Sequence, residues 1–124
     1  MFERFTERAK RTLFYARYEA SSLGGTAIET EHLLLGLIRQ GTGLTSDVFV
    51  KAHVSLDVVR TEIRERVPVR ESLPLSVEIP FSIDVQQILR VAAEEANRLG
   101  HGHVGTEHLL VGILVHRTAW RQVC

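Results

Sequence analysis

The sequence contains one cysteine, Cys124, at its last position. A single thiol excludes an internal disulfide, and no Cys/His set has the spacing of a zinc site. Such cysteine usage fits a reducing compartment, and a cytoplasmic location is expected. Neither sign of charge is in excess, since 15 basic residues face 15 acidic ones. A balanced chain lacks the basic field that nucleic acid or an anionic membrane surface would select. No apolar run is long enough to cross a bilayer, and Met1-Phe2-Glu3-Arg4-Phe5 is charged from its third residue, unlike a secretion signal. Glycine is never followed by lysine, so a phosphate-binding loop is missing and ATP hydrolysis by these residues is not expected. There is no Gly-x-Ser-x-Gly turn, and a lone terminal thiol is a poor nucleophile. The composition therefore points away from catalysis and from a bound cofactor. Proline is confined to positions 68, 74 and 80, which leaves the remainder free to form long helices. Lysine is scarce as well: Lys10 and Lys51 stand against 13 arginines. Guanidinium forks suit carboxylate or phosphate partners, although codon usage alone produces the same bias.

What the chain does contain is one stretch written twice. Thr30-Glu31-His32-Leu33-Leu34-Leu35-Gly36-Leu37 returns as Thr106-Glu107-His108-Leu109-Leu110-Val111-Gly112-Ile113, an offset of 76 residues. Each copy begins seven residues after a Leu-Gly pair, Leu23-Gly24 or Leu99-Gly100. Over the 44 pairs from Phe5/Phe81 to Val48/Cys124 there are 14 identities, eight of them between Leu23/Leu99 and Ile38/Leu114. That concentration marks an internal duplication.

The apolar spacing reads as helices throughout. Phe2, Phe5, Ala9, Leu13, Ala16, Ala20 and Leu23 form one face of a helix over 2–23, ended by Gly24-Gly25. Thr30 is the expected N-cap of a second helix, with Glu31 in its first turn and Leu33, Leu34, Leu37 and Ile38 buried. Gly36 in mid-helix costs about 1 kcal/mol and implies close approach of a neighbouring helix. Leu44, Val48, Phe49 and Ala52 suggest a short third helix, and Ser55 caps a fourth whose stripe is Leu56, Val59, Ile63 and Val67. Between 68 and 80 the prolines and the alternation of Leu73, Leu75, Val77 and Ile79 predict an extended linker. Phe81, Val85, Leu89, Ala92, Ala96 and Leu99 then restart the first face.

The expected fold class is all-α, a pseudo-twofold duplication of a four-helix repeat with the second repeat truncated. Repeat one covers 2–67, the linker 68–80 and the incomplete repeat two 81–124, together one domain over 1–124. Without a counterpart of the fourth helix, an uncovered apolar patch is expected near Leu109, Ile113 and Trp120. A monomer or a weak dimer would follow.

Two sets of residues could carry chemistry. His101, His103 and His108 invite a metal reading, but His32 has Gly25 and Ala27 where the other two histidines would be, so no metal is expected. A histidine at this helix start instead packs its ring and hydrogen-bonds loop backbone. Glu31 and Glu107 either complement the helix dipole or pair with a cation on a partner, beside free N–H groups able to hold an anion. The residues alone leave both readings open.

Leu99-Gly100-His101-Gly102-His103-Val104-Gly105-Thr106-Glu107-His108-Leu109-Leu110-Val111-Gly112-Ile113 resembles the signature of the Clp N-terminal repeat, the substrate- and adaptor-binding domain of ClpC- and ClpA-type AAA+ unfoldases. Phe2-Glu3-Arg4-Phe5-Thr6-Glu7-Arg8-Ala9 resembles the opening of ClpC-type members. The resemblance implies a non-catalytic module whose partners are protein substrates and adaptors of a Clp unfoldase, and phosphoarginine. It implies that Glu31 and Glu107 take the guanidinium, with Thr30 and Thr106 beside them and Arg4, Thr6 and Ser82 neighbouring the phosphate. It also implies glycine before the Thr-Glu-His, which Gly105 supplies and Glu29 does not. Glu29 is therefore expected to repel a phosphate at the first copy. Alternatives are a free-standing regulator that competes for adaptors or docks on a Clp hexamer, and a small metal-binding protein.

Overall fold

The computed structural model describes residues 2–41, 43–66 and 70–123, without the side chains of 44 and 117–123. The helices are α1 (Glu7–Ser22), α2 (Thr30–Gln40), α3 (Gly43–Lys51), α4 (Leu56–Arg66), α5 (Ile83–Arg98) and α6 (Thr106–Val123). Among the described residues there is no strand, and the all-α expectation holds. Trp120, Cys124 and the end of the fourth stripe at Val67 and Pro68 lie outside the described residues or side chains.

The duplication is visible at the caps. The Thr6 hydroxyl accepts from the Ala9 N–H at 3.1 Å and starts α1. Its counterpart Ser82 accepts from the Val85 N–H at 3.2 Å and starts α5. Glu7 and Asp84 add negative charge to these first turns. Helix α1 thus begins at Glu7, later than the stripe from Phe2 suggested. Phe2 and Phe5 form a turn ahead of the cap, with the Phe5 N–H donating to the Phe2 carbonyl at 3.0 Å.

Each repeat lends its opening residues to the other. Phe5 forms a parallel bridge with Val104, and Phe81 forms one with Ile28. Phe5 corresponds to Phe81 and Ile28 to Val104, so the two bridges are related by the offset of 76. Four hydrogen bonds repeat the exchange. Thr6 N–H donates to the Val104 carbonyl at 3.0 Å and Val104 N–H to the Arg4 carbonyl at 2.8 Å. Ser82 N–H donates to the Ile28 carbonyl at 3.0 Å and Ile28 N–H to the Pro80 carbonyl at 2.8 Å. This pairing satisfies backbone groups that would otherwise be buried without partners. Above it, Ala9, Ala16, Ala20, Leu33 and Leu37 of one repeat join Val85, Ile88, Ala92, Ala96 and Leu109 of the other in one core.

The two motif glycines sit where a helix crosses. A Cβ on Gly36 would lie 2.3 Å from the Thr12 carbonyl oxygen of α1, and one on Gly112 would lie 2.7 Å from the Ile88 carbonyl oxygen of α5. Thr12 and Ile88 are themselves counterparts. The helix-propensity cost of glycine is the condition for this close packing.

The repeats part company after the motif. Gly41, left-handed at φ 64°, ends α2. Arg117 stands at its counterpart and α6 runs on to Val123. In repeat one, α4 lays Val59 and Ile63 against Leu35, with Leu23 and Ile38 packed alongside. The counterparts in repeat two are exposed: Leu99 by 52%, Val111 by 37% and Leu114 by 57%. This corrects the expected patch, because Leu109 and Ile113 are buried in the core. Those two residues match Leu33 and Leu37, which face the crossing helix. The α4-facing positions match Leu35 and Ile38 instead.

From residue 70 on the linker is pinned to α1, and the expectation that it is extended throughout is corrected by a turn in which the Val77 N–H donates to the Pro74 carbonyl at 3.0 Å. Leu73 N–H donates to the Ser21 carbonyl at 2.8 Å, and the Arg17 guanidinium donates to the Leu75 carbonyl at 2.5 Å. Ile79 is buried and Leu73 half-buried, whereas Leu75 and Val77 are exposed.

Candidate functional site

Each motif helix is opened by a histidine and not by a threonine. The residue before α2 is Glu29, so Thr30 is the first helical residue and the expectation that it caps the helix is corrected. The Glu29 N–H donates to His32 Nδ1 at 2.9 Å, and the Gly105 N–H donates to His108 Nδ1 at 2.8 Å. This is the reach-back half of a capping box, with imidazole in place of Glu or Gln at the third position. The histidine must be neutral at Nδ1 to accept. Burial of His32 and His108 supplies that state, since it pushes both rings below their ordinary pKa. Glu29 opposes the shift at His32 and Glu107 opposes it at His108, while His101, His103 and Arg4 reinforce it at His108.

The second copy is the more elaborate. Because His108 Nδ1 accepts, its proton is on Nε2, which lies 2.8 Å from His101 Nδ1. The hydrogen-bond network thereby assigns His101 a proton on its outer nitrogen. Both His108 nitrogens are committed, so His108 has no lone pair for a cation. Among the described residues no group of three His, Cys, Asp or Glu is arranged around a common metal position. His103 stacks on His101 with centroids 5.7 Å apart and places Nε2 3.7 Å from a Glu107 carboxylate oxygen. The Glu107 carboxylate folds back over Gly105, where a Cβ would stand 2.6 Å from its oxygens. The glycine is what gives it that position, and the side chain remains 46% exposed.

The sequence-predicted residues fall into two groups. The bridge of Phe5 to Val104 brings Arg4 and Thr6 to the loop that leads into Thr106 and Glu107. Arg4 is fixed there by donating from Nη2 to the His101 carbonyl at 3.0 Å. The bridge of Phe81 to Ile28 likewise brings Ser82 to the loop before Thr30 and Glu31. There the counterpart of Arg4 is Pro80, so the first loop has no guanidinium at that position. Thr106 is buried, Thr30 half-buried, and Glu31 exposed in the first turn of α2.

The first copy is also roofed. Glu29, Glu31 and His32 line a pocket of about 240 Å³ with Gly24, Gly25 and the linker residue Arg70. Arg70 N–H donates to the Leu23 carbonyl at 3.3 Å, and a Cβ on Gly24 would lie 2.6 Å from the Glu71 carbonyl oxygen. At Gly100, the counterpart of Gly24, a Cβ would meet nothing within 4 Å. The linker therefore covers one loop and leaves its twin open. Sequence reasoning missed this roof and the His101–His108 contact. The seven-residue spacing of those histidines was the only available signal.

Fold and site together define a class: a duplicated all-helical domain that presents a carboxylate at the start of each of two equivalent helices. The family model described as the Clp repeat (R) N-terminal domain matches residues 4–123, and the chain belongs to that family. The chain is 43% identical over 114 residues to a chaperone protein ClpC1, chloroplastic, from Oryza sativa subsp. japonica, covering 92% of this chain and 12% of the relative. It thus spans 12% to 14% of the length of the curated relatives it matches. Among solved structures, the N-terminal domain of the chaperone ClpD from Arabidopsis thaliana superposes with a TM-score of 0.76 at 31% identity, covering 91% of this chain and 77% of that one. A ClpV N-domain in complex with a VipB peptide shares the fold, with a TM-score of 0.72 at 17% identity over 92% of this chain and 69% of that one. Among the described residues no helix is long and apolar enough to cross a membrane.

Proposed function

We propose that this domain is a non-catalytic, protein-binding module of a Clp protease system, which receives substrates or adaptors for an AAA+ unfoldase in a reducing, cytoplasmic setting. The second copy of the motif is the principal reading site. Glu107 takes a guanidinium from the ligand, and Arg4, beside the same loop, takes an anion attached to it, as a phosphoarginine side chain would require. Thr6 and Thr106 flank the site. At the first copy Glu31 and Glu29 attract a cation, Pro80 stands in the place of Arg4, the Arg70 side chain of the linker lines the pocket instead, and Ser82 stands beside it. The observation that supports this reading most is the exposed Glu107 carboxylate held over Gly105, with Arg4 tied to the His101 carbonyl of the same loop. Calorimetric titration of free phosphoarginine into the 124-residue protein tests it. Glu107→Ala is expected to weaken binding by about tenfold or more, the loss of one charge-assisted hydrogen-bonded pair. Equal binding by wild type and Glu107→Ala, or none by either, would overturn the assignment.

A further inference from the structure

The groove between α1, α2 and α4 holds a cationic pocket that the motif residues do not line. Glu19 of α1 is 3% exposed and is the one carboxylate in it. Arg39 of α2 reaches it through Nη1 at 3.4 Å. Arg60 of α4 pairs with it through Nη2 and also through Nε at 3.4 Å. Arg64, one turn further along α4, lines the same space and makes no ion pair among the described residues. Three guanidiniums thus surround one carboxylate, leaving two positive charges over. Asp57 acts on Arg60 but borders a neighbouring groove, not this pocket.

The donors are held ready for something else. Glu19 uses Nη1 of Arg39 and Nε and Nη2 of Arg60. Nε and Nη2 of Arg39, Nη1 of Arg60 and the whole Arg64 fork have no protein acceptor among the described residues. Arg39 lies over two rings of α1, with its Cζ 5.1 Å from the Tyr15 centroid and 4.6 Å from that of Tyr18. Such cation–π contacts restrict the position of the fork before any ligand arrives. The side chains of Arg39 and Arg60 are 35% and 29% exposed, so an incoming anion meets donors already partly stripped of water. The constellation belongs to repeat one alone. The counterpart of Arg39 is Val115, and the counterpart of Glu19, Glu95, is paired with Arg98.

We propose that Arg39, Arg60 and Arg64 form an oxyanion-binding pocket suited to a doubly charged phosphate group, either free or carried on a protein as a phosphomonoester. Glu19 is its positioning residue: it aligns the two partly buried forks and leaves their outer edges facing the pocket. The charge balance favours a dianion over a monovalent carboxylate.

NMR of the arginine Nε–Hε groups in the 124-residue protein, at constant ionic strength, tests this residue by residue. Inorganic phosphate is expected to shift the Arg39 and Arg64 signals saturably, and acetate to leave them in place. Arg64→Gln, an exposed change that keeps the fold, should weaken the phosphate response about tenfold, and Arg39→Lys should weaken it although the charge is kept. A phosphoserine peptide that produces the same shifts, against its unphosphorylated form, identifies a protein-borne group. A response to inorganic phosphate only identifies free phosphate. No saturable shift, an equal response to acetate, or an unchanged response in Arg64→Gln would overturn the proposal.

Discussion

The two copies of the motif share a backbone and differ in what surrounds it. Both open a helix with a histidine whose Nδ1 accepts the N–H of the residue that precedes the helix, Glu29 or Gly105. Both pack a glycine against a crossing helix. Around the first copy stand Glu29, Pro80 and the linker at Arg70; around the second stand Gly105, Arg4 and an open Gly100. The frame is thus kept by the groups that satisfy buried backbone and the core. The chemistry is set by a few positions around that frame. Of these, Glu29 also belongs to the frame, its side chain accepting from the His32 N–H to complete the capping box of α2. A duplicated sequence can in this way present one loop with an added carboxylate, roofed by the linker at Arg70, and one open loop from the same fold.

The largest expected difference between the repeats lies behind the motif. Leu35 is fully buried under α4, while its counterpart Val111 is 37% exposed. Leu35→Ala should cost about 2–5 kcal/mol in chemical denaturation, and Val111→Ala less than about 1 kcal/mol. Similar losses would mean that repeat two is covered in solution. At the crossing points the repeats should agree in sign: Gly36→Ala and Gly112→Ala both force backbone apart, at about 1–3 kcal/mol each, with Gly36 the worse because its contact is closer.

Smaller effects address the sites. Gly105→Ala puts a Cβ where the Glu107 carboxylate lies, and should weaken phosphoarginine binding several-fold while leaving the melting temperature nearly unchanged. Glu29→Gly removes a carboxylate from the first loop and should bring its ligand preference closer to that of the second, as read by titration with phosphoarginine. Smallest is a dependence on pH. His32 and His108 are held below the ordinary 6.5, so the unfolded chain takes up protons first. Their contribution to stability is complete above about pH 6.5 and is lost as pH falls through the lower folded values. His32→Gln and His108→Gln should each flatten the acid limb of a melting-temperature profile; an unaltered limb would remove the buried rings from the account.

The sequence made the helices legible because their stripes obey a 3.6-residue period, and the duplication gave two independent readings of the same motif. It foretold the close approach at Gly36, since an isolated glycine inside a strong helical pattern needs a packing reason. It misplaced the uncovered patch because one helix carries two apolar faces, and composition does not say which of Leu109 and Val111 meets the crossing helix. It assigned the cap to Thr30 because hydroxyls usually serve there, while the structure uses His32 from two positions further on. The roof at Arg70 and the pairing of Glu19 with Arg60 join residues over 40 positions apart, where no local pattern can report a contact.

The most direct test is a residue-resolved titration of phosphoarginine into the wild-type domain, following the backbone amides of both motif starts in one sample. The signals of Gly105, Thr106 and Glu107 should move and saturate at concentrations at which those of Thr30 and Glu31 have barely shifted. If Thr30 and Glu31 respond first, or the two sets move together, the asymmetry argued from Gly105, Arg4, Glu29 and Pro80 is contradicted.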